Sequence, residues 1–239
     1  MNDNVAYDSS AIPYFDDDRD LSRYSDHLTV WLDKYIGRPE ESVGLKAQFK
    51  TITQPLETLN KTEEDVDETP NVMINPDMLE KLKDRIYCVK AFFDPAECLK
   101  YIRSNSDKKI FFISSGSMGE KIVPDIAALP QIHGVYIFCG NISHHVKTWA
   151  MEYVDNISAM LEHQDDLLVR LTKDIAEYLQ NKGDHHFTQG ENVKARNCYA
   201  WATKLILRTQ QLGDTNYKKP LTILNAKREK AESSCESSQ

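Results

Sequence analysis

Basic residues are in the minority in this chain, and long apolar runs are missing from it. Its 239 residues contain 29 lysines and arginines against 37 aspartates and glutamates, which gives a formal charge of -8. An acidic chain without a basic stripe is a poor partner for a phosphate backbone, so we expect no nucleic-acid binding. No apolar run approaches the ~18 residues that span a bilayer, so we also expect no membrane segment.

Paired cysteines are missing too. The cysteines are odd in number, widely spaced and without a CxxC motif: Cys88, Cys98, Cys139, Cys198 and Cys235. This pattern is typical of free thiols in a reducing compartment. The amino terminus has neither the basic region nor the apolar region of an export signal. Together these features predict a cytoplasmic protein.

The most informative stretch lies between Lys108 and Asn141, where strand, turn, helix and strand patterns follow one another. The residues at 110–113 are all apolar, as expected of a parallel strand that is buried on both faces. Gly116 and Gly119 follow it, at the end of the strand where open α/β sheets place their ligands. The spacing is that of a βαβ unit.

Further strands and helices alternate around this unit. The predicted strands cover 27–33, 86–93, 109–114, 133–140 and 156–160, and the predicted helices between them cover 94–104 and 118–129. The helix at 94–104 begins with Asp-Pro-Ala-Glu, a strong capping sequence. Alternation of this kind predicts a parallel sheet of about five strands with right-handed crossovers. We therefore predict an α/β, flavodoxin- or receiver-like domain over 27–162, with strand order 2-1-3-4-5.

Four of the strands, at 28–32, 87–92, 110–113 and 135–139, are apolar without clean alternation, so they are predicted to be mostly buried. Outside the sheet, the polar, acidic composition of residues 1–26 predicts a disordered amino-terminal segment. Before the second strand, the sequence also predicts helices at 39–56 and 75–82 and a turn-rich surface loop at 60–71.

From His163 onward the apolar period changes from two to 3.6 residues, which predicts a helical hairpin over 163–212. Its small and aromatic residues have the spacing of a tetratricopeptide repeat: Gly183, Gly190, Ala195, Tyr199 and Ala202. The usual terminal proline is absent, and no second copy follows. The hairpin could be a docking surface for a partner, or it could only pack against the rest of the chain. The pattern is compatible with both. Residues 213–239 are predicted to be a polar tail, in which 221–232 could form a short helix.

The loop after the third strand carries the candidate site. Its sequence fits a relaxed nucleophile elbow, in which Ser117 would need an acid and a histidine such as Asp155 and His163. A glycine-rich turn that caps a helix is the alternative. We expect the loop to bind an anion or a nucleotide phosphate through the amides at the helix start, with residues Ser114, Ser115, Gly116, Ser117, Gly119 and, from the first strand, Asp33.

Two acidic residues near this loop admit more than one interpretation. Asp33 could hold a hydrated magnesium ion beside a phosphate, or it could be a turn residue. Glu120 stands where NAD-cleaving TIR domains have a catalytic glutamate, although a helix-start glutamate favoured by the macrodipole is the commoner explanation. The pairs His144-His145 and His185-His186 lack a properly spaced partner, so no metal site is expected.

Three segments together resemble a known module: VWLD at 30–33, the run at 112–141, and EHQDDLLVRLTKDIAEYL at 162–179. They resemble an amino-terminal α/β module of invertebrate multidomain proteins, which also carry tetratricopeptide repeats or ADP-ribosyltransferase domains. The resemblance covers roughly 28–210 and implies a receiver-like or TIR-like fold. No transferase activity is implied, because the chain lacks a late ExE motif.

These observations lead to one expectation of function and one alternative. We expect a non-enzymatic protein-interaction or regulatory module in cytosolic signalling, acting as an adaptor, with protein partners, a possible nucleotide or phosphate ligand and no cofactor. The alternative is an enzyme at the carboxyl edge of the third strand, with Ser117 and Glu120 as its catalytic residues. It would cleave a nucleotide such as NAD or act as a serine hydrolase.

Overall fold

A computed structural model describes residues 26–35 and 89–236, which form parts of two compact units. The first unit comprises 26–35 and 89–170, and the second comprises 171–236. Several sequence-based predictions lie outside the described residues: the acidic amino-terminal segment before Asp26, the helices at 39–56 and 75–82, the surface loop at 60–71, and the last three residues of the tail.

The first unit is built on a five-stranded sheet in which all neighbouring strands are parallel, in the order β2-β1-β3-β4-β5. This confirms the predicted α/β class and the flavodoxin-like strand order. The strands are β1 (His27–Leu32), β2 (Val89–Phe92), β3 (Lys109–Ser115), β4 (Ile132–Phe138) and β5 (Ile157–Leu161).

Between β2 and β5 the chain forms three helices and one 3-10 turn: α1 (Pro95–Ser104), α2 (Gly116–Ile126), α3 (Ile142–Thr148) and the 3-10 turn Ala150–Tyr153. Helix α1 begins as its sequence predicts, because the Asp94 carboxylate accepts a hydrogen bond of 2.9 Å from the Glu97 amide. Helix α2 starts directly at Gly116, two residues before the predicted start, so both loop glycines lie inside the helix.

The core of this unit lies on the inner strands. All of β1 is buried, as are the apolar centres of β3 and β4. The prediction of a mostly buried strand is wrong for β2, where Lys90 is exposed and Ala91 and Phe92 are half-buried. The reason is its position, since β2 is an edge strand with β1 as its neighbour on one side.

The second unit is helical. It contains the larger part of α4 (Gln164–Thr188), all of α5 (Asn192–Gln211) and all of α6 (Lys218–Glu236). Helices α4 and α5 form an antiparallel hairpin, whose turn contains Gly190 with a φ of 75°. The segment that the sequence predicted as a polar tail therefore contains a helix of 19 residues, longer than the expected 221–232.

Small residues lie where α4 and α5 approach each other. A Cβ built on Gly183 would lie 2.6 Å from a ring carbon of Tyr199, so glycine is required for this approach. Ala195 and Ala202 are fully buried. These positions fit the spacing of a tetratricopeptide repeat, and the identification of the hairpin as such a repeat stays a prediction.

The connection between α5 and α6 is held by one buried carboxylate. Asp214 pairs with Lys173 of α4 at 2.7 Å and accepts hydrogen bonds from the Thr209 hydroxyl and the Asn216 amide, each at 3.0 Å. Burial alone would raise the pKa of Asp214, but these donors outweigh it and hold the pKa below its ordinary value.

Substituting Asp214→Asn should therefore destabilise the helical unit by about 1–3 kcal/mol at neutral pH, because asparagine cannot satisfy all three donors. Since the folded pKa is depressed, this stabilisation exists above the unfolded pKa of about 4 and is lost as pH falls through the folded value. The check is thermal unfolding of both proteins from pH 7 to about pH 2–3. A difference between them that does not shrink in acid would contradict the assignment.

Candidate functional site

The predicted site residues lie at one edge of the sheet. Because all strands are parallel, their carboxyl ends meet there, and Leu32 at the end of β1 is in register with Ser114 near the end of β3. Asp33 follows β1 directly, and α2 starts directly after β3. The fold therefore brings Asp33 and the loop 114–119 to neighbouring positions on the carboxyl edge.

The serines of the loop differ in their accessibility. Ser114 is fully buried, and its hydroxyl donates to the Ser115 carbonyl oxygen at 3.0 Å. Ser115 is half-buried and occupies the N-cap of α2 without a capping bond from its side chain. Ser117 is exposed. Two hydroxyls, those of Ser115 and Ser117, could thus reach a ligand, whereas that of Ser114 faces the interior.

Asp33 has a role in the local backbone. Its carboxylate accepts a hydrogen bond of 2.7 Å from the Tyr35 amide, which closes a turn after β1. This is the turn role that the sequence offered as one of its alternatives. The residue is half-buried, and its role in magnesium binding stays a prediction.

A histidine that the sequence analysis did not place in the site lies against the loop. A Cβ built on Gly116 would be only 2.0 Å from Nε2 of His145, which belongs to α3. A Cβ on Gly119 would be 2.9 Å from Ile137 and 3.1 Å from the ring of Trp149. Both loop glycines are therefore needed because side chains pack directly on the start of α2.

His145 is oriented by a neighbour one turn away. The Trp149 indole N–H donates to Nδ1 of His145 at 3.2 Å. In a neutral imidazole the proton is then on Nε2, the nitrogen that faces Gly116. Helix α3 carries His145 and ends directly before Trp149, and it is capped by Asn141, whose side chain accepts from the His144 amide at 3.1 Å. An aromatic residue four positions after a histidine was the signal in the sequence.

The hydrolase triad considered from the sequence is not assembled. Asp155 precedes β5 and so lies at the amino edge of the sheet, whereas Ser117 and His163 lie at the carboxyl edge. A hydrogen bond of 3.0 Å from the Asn156 side chain to the Ala127 carbonyl places this segment beside the far end of α2. Glu120 is exposed, one turn into α2.

Metal-binding side chains do not gather within 26–35 and 89–236, where no group of three histidine, cysteine, aspartate or glutamate residues has suitable geometry. The rings of His144 and His145 are 5.1 Å apart, and those of His185 and His186 are 6.2 Å apart. His186 instead forms a 2.6 Å contact with the Glu191 carboxylate, at the turn between α4 and α5.

The described cysteines are free thiols, and two of them lie in the first unit. Burial raises the pKa of Cys98 to about 12. Burial also raises the pKa of Cys139 at the end of β4, with a smaller contribution from the charge of Glu162, against a lowering by the Asn141 amide. Both thiols are therefore protonated at neutral pH and poorly suited to act as nucleophiles.

Comparison of the chain with protein families, with curated proteins and with solved structures finds no match. The receiver-like or TIR-like resemblance therefore depends on the quoted segments alone and stays a prediction. Within the two described ranges, no helix has both the length and the hydrophobicity needed to cross a bilayer.

Proposed function

We propose that this chain is a non-enzymatic protein-interaction or regulatory module in cytosolic signalling. The observation that carries the proposal is the packing at the carboxyl edge of β3. His145 lies on Gly116 and Trp149 lies on Gly119, so the chain's own side chains cover the face of the loop on which the glycines lie. The loop glycines thus have a packing role that needs no substrate.

The segment between β4 and β5, which carries His145 and Trp149, also exposes apolar side chains to solvent. Met151 and Val154 are 58% and 56% exposed, whereas Ala150 and Tyr153 of the same segment pack against the core. This exposed apolar pair is where we propose that a partner contacts the chain. The resemblance to a module of multidomain proteins, and the tetratricopeptide spacing in the helical unit, favour a protein partner as well.

The cysteines support the cytosolic part of the proposal. All four that the structure describes are free: Cys98, Cys139, Cys198 and Cys235. Two of them, Cys98 and Cys198, are buried as small apolar side chains. Free thiols are expected in a reducing compartment.

The test compares partner capture by matched variants of the full chain. Met151→Lys with Val154→Lys removes the exposed pair, and Val193→Lys with Ile223→Lys changes two similarly exposed apolar residues of the helical unit. We expect affinity purification from cytosol to recover a discrete partner with the wild type and the control. The first variant should lose it. Equal recovery with both variants, or no discrete partner at all, would contradict the proposal.

A second candidate function, the cleavage of a nucleotide or an ester at the same edge, is favoured by one observation. Nε2 of His145 faces Gly116 at the start of α2, between Ser115 and Ser117 in the sequence. A nucleotide with magnesium should then raise the melting temperature by mass action. Turnover of NAD or an aryl ester that disappears in Ser117→Ala or Glu120→Gln would favour this candidate over the first.

A further inference from the structure

Within the described residues, β5 is an edge strand of the sheet, and β4 is its neighbour on one side. The Leu161 carbonyl accepts from the Cys139 amide at 2.9 Å, and Ala159 is in register with Tyr136, so both residues bond toward β4. In a regular parallel strand, the main-chain groups of alternate residues point to opposite sides. The residues next to Ala159 and Leu161 therefore point their amides and carbonyls away from β4. Those of Met160 thus point outward, and no strand of the described residues pairs with them, whereas Ser158 lies at a register shift and its hydroxyl accepts from the Val135 amide of β4.

The side chains of β5 are also less covered than those of the inner strands. Every residue from Ile157 to Leu161 is half-buried, whereas β1 is buried throughout. The exposed Met151 and Val154 precede the strand closely in the chain. An added strand would therefore gain main-chain hydrogen bonds and cover apolar surface as well.

Carboxylates are concentrated at both ends of this strand. All are exposed: Glu152 and Asp155 before it, and Glu162, Asp165 and Asp166 after it. A second copy of the chain that paired along the same edge would bring these like charges together, which disfavours self-association. A strand with lysines or arginines at both of its ends would instead meet opposite charge at each end.

We propose that the outer edge of β5 binds an extended segment of a partner protein, in which basic residues flank a short run of β-forming residues. The proposal rests on the proposed interaction function and names its surface and the chemistry of the partner. A strand of five residues spans about 16 Å, so a segment of about nine residues reaches the carboxylates at both ends.

The test uses the isotope-labelled full chain and two synthetic peptides, KKVTVTVKK and its charge-reversed form EEVTVTVEE. We expect the lysine peptide, at ~1 mM or below, to shift the amide resonances of Met160 and Glu162 and to slow their hydrogen exchange. The glutamate peptide should bind about tenfold more weakly or not at all, because it meets like charge at both ends. A lysine peptide that is N-methylated along one edge should lose the exchange protection.

A charge exchange makes the test specific to this surface. The double variant Asp155→Lys, Glu162→Lys changes the summed charge of the five carboxylate positions at the ends of β5 from -5 to -1, so it should lose most of the preference for the lysine peptide. The variant Asp107→Lys, Asp125→Lys, with the same change in net charge, should keep the wild-type preference. Equal binding of both peptides to the wild type, shifts elsewhere, no binding, or dimers formed through β5 would each overturn the proposal. If the charge-exchanged chain still captures a partner from cytosol, the interaction function survives and only this surface is refuted.

Discussion

Replacing Gly116 with valine is expected to destabilise the α/β unit by about 3 kcal/mol, at the upper end of what overpacking costs. A Cβ at this position would lie 2.0 Å from Nε2 of His145, well inside van der Waals contact. The imidazole cannot move aside without losing the hydrogen bond from Trp149, which is itself buried in the core. Chemical denaturation followed by the signals of β3 and β4 measures the loss.

Two further variants separate this clash from a general intolerance of valine. Gly140, just beyond the end of β4, has nothing within 4 Å of a built Cβ, so Gly140→Val should change stability by about 0.5 kcal/mol or less. His145→Ala should restore much of the stability that Gly116→Val loses, because the two residues are in contact. A Gly116→Val chain as stable as the wild type would show that His145 does not lie on the loop in solution.

This contact changes how an anion site at the loop can be tested. From the sequence alone, Gly116→Val is a substitution that removes ligand binding and leaves the fold intact. In the structure it is primarily a packing change. Ser117→Ala is the better variant, because this side chain is exposed and lies outside the core.

The sequence carried enough information for the sheet but not for the surroundings of the loop. Apolar runs such as that at 110–113, alternating with helical patterns, predict parallel strands, and parallel strands leave few possible orders. The position of His145 depends instead on the path of a short helix of seven residues, which local patterns do not determine. Burial of β2 was mispredicted for a related reason, since composition does not distinguish an edge strand from a central one.

The third helix of the second unit was underestimated because its apolar residues are few. Only Leu221, Leu224 and Ala231 of α6 are buried, which is too sparse a stripe to predict a helix of 19 residues. Two of its contacts join it to α4, far away in the sequence. Lys227 pairs with Asp184 of α4 at 2.5 Å, and Lys230 lies over the ring of Phe187, 5.1 Å from its centroid. Pairs of residues 43 positions apart leave no local signal.

Substituting Tyr199→Ala is expected to cost about 3–5 kcal/mol of stability in the helical unit, comparable to removing other large buried aromatics. Tyr199 is 2% exposed, its ring packs on Gly183, and Lys227 of α6 lies 5.9 Å above the ring centroid. The Tyr199 side chain of α5 thus lies next to both α4 and α6. Its loss leaves a cavity that Gly183 has no side chain to fill. Hydrogen exchange of α4, α5 and α6 amides in the full chain measures the change.

Tyr199→Phe separates ring packing from the hydroxyl. The hydroxyl donates to the Asp184 carboxylate at 2.8 Å. Burial, followed by this bond and the charge of Asp184, raises the pKa of Tyr199 well above its ordinary value, so the group stays a donor at any working pH. Phenylalanine should cost only about 1–2 kcal/mol, because the ring remains and Asp184 keeps Lys227 as a partner. If phenylalanine and alanine cost the same, the polar contact rather than the ring joins the helices, and Asp184→Asn should then match both.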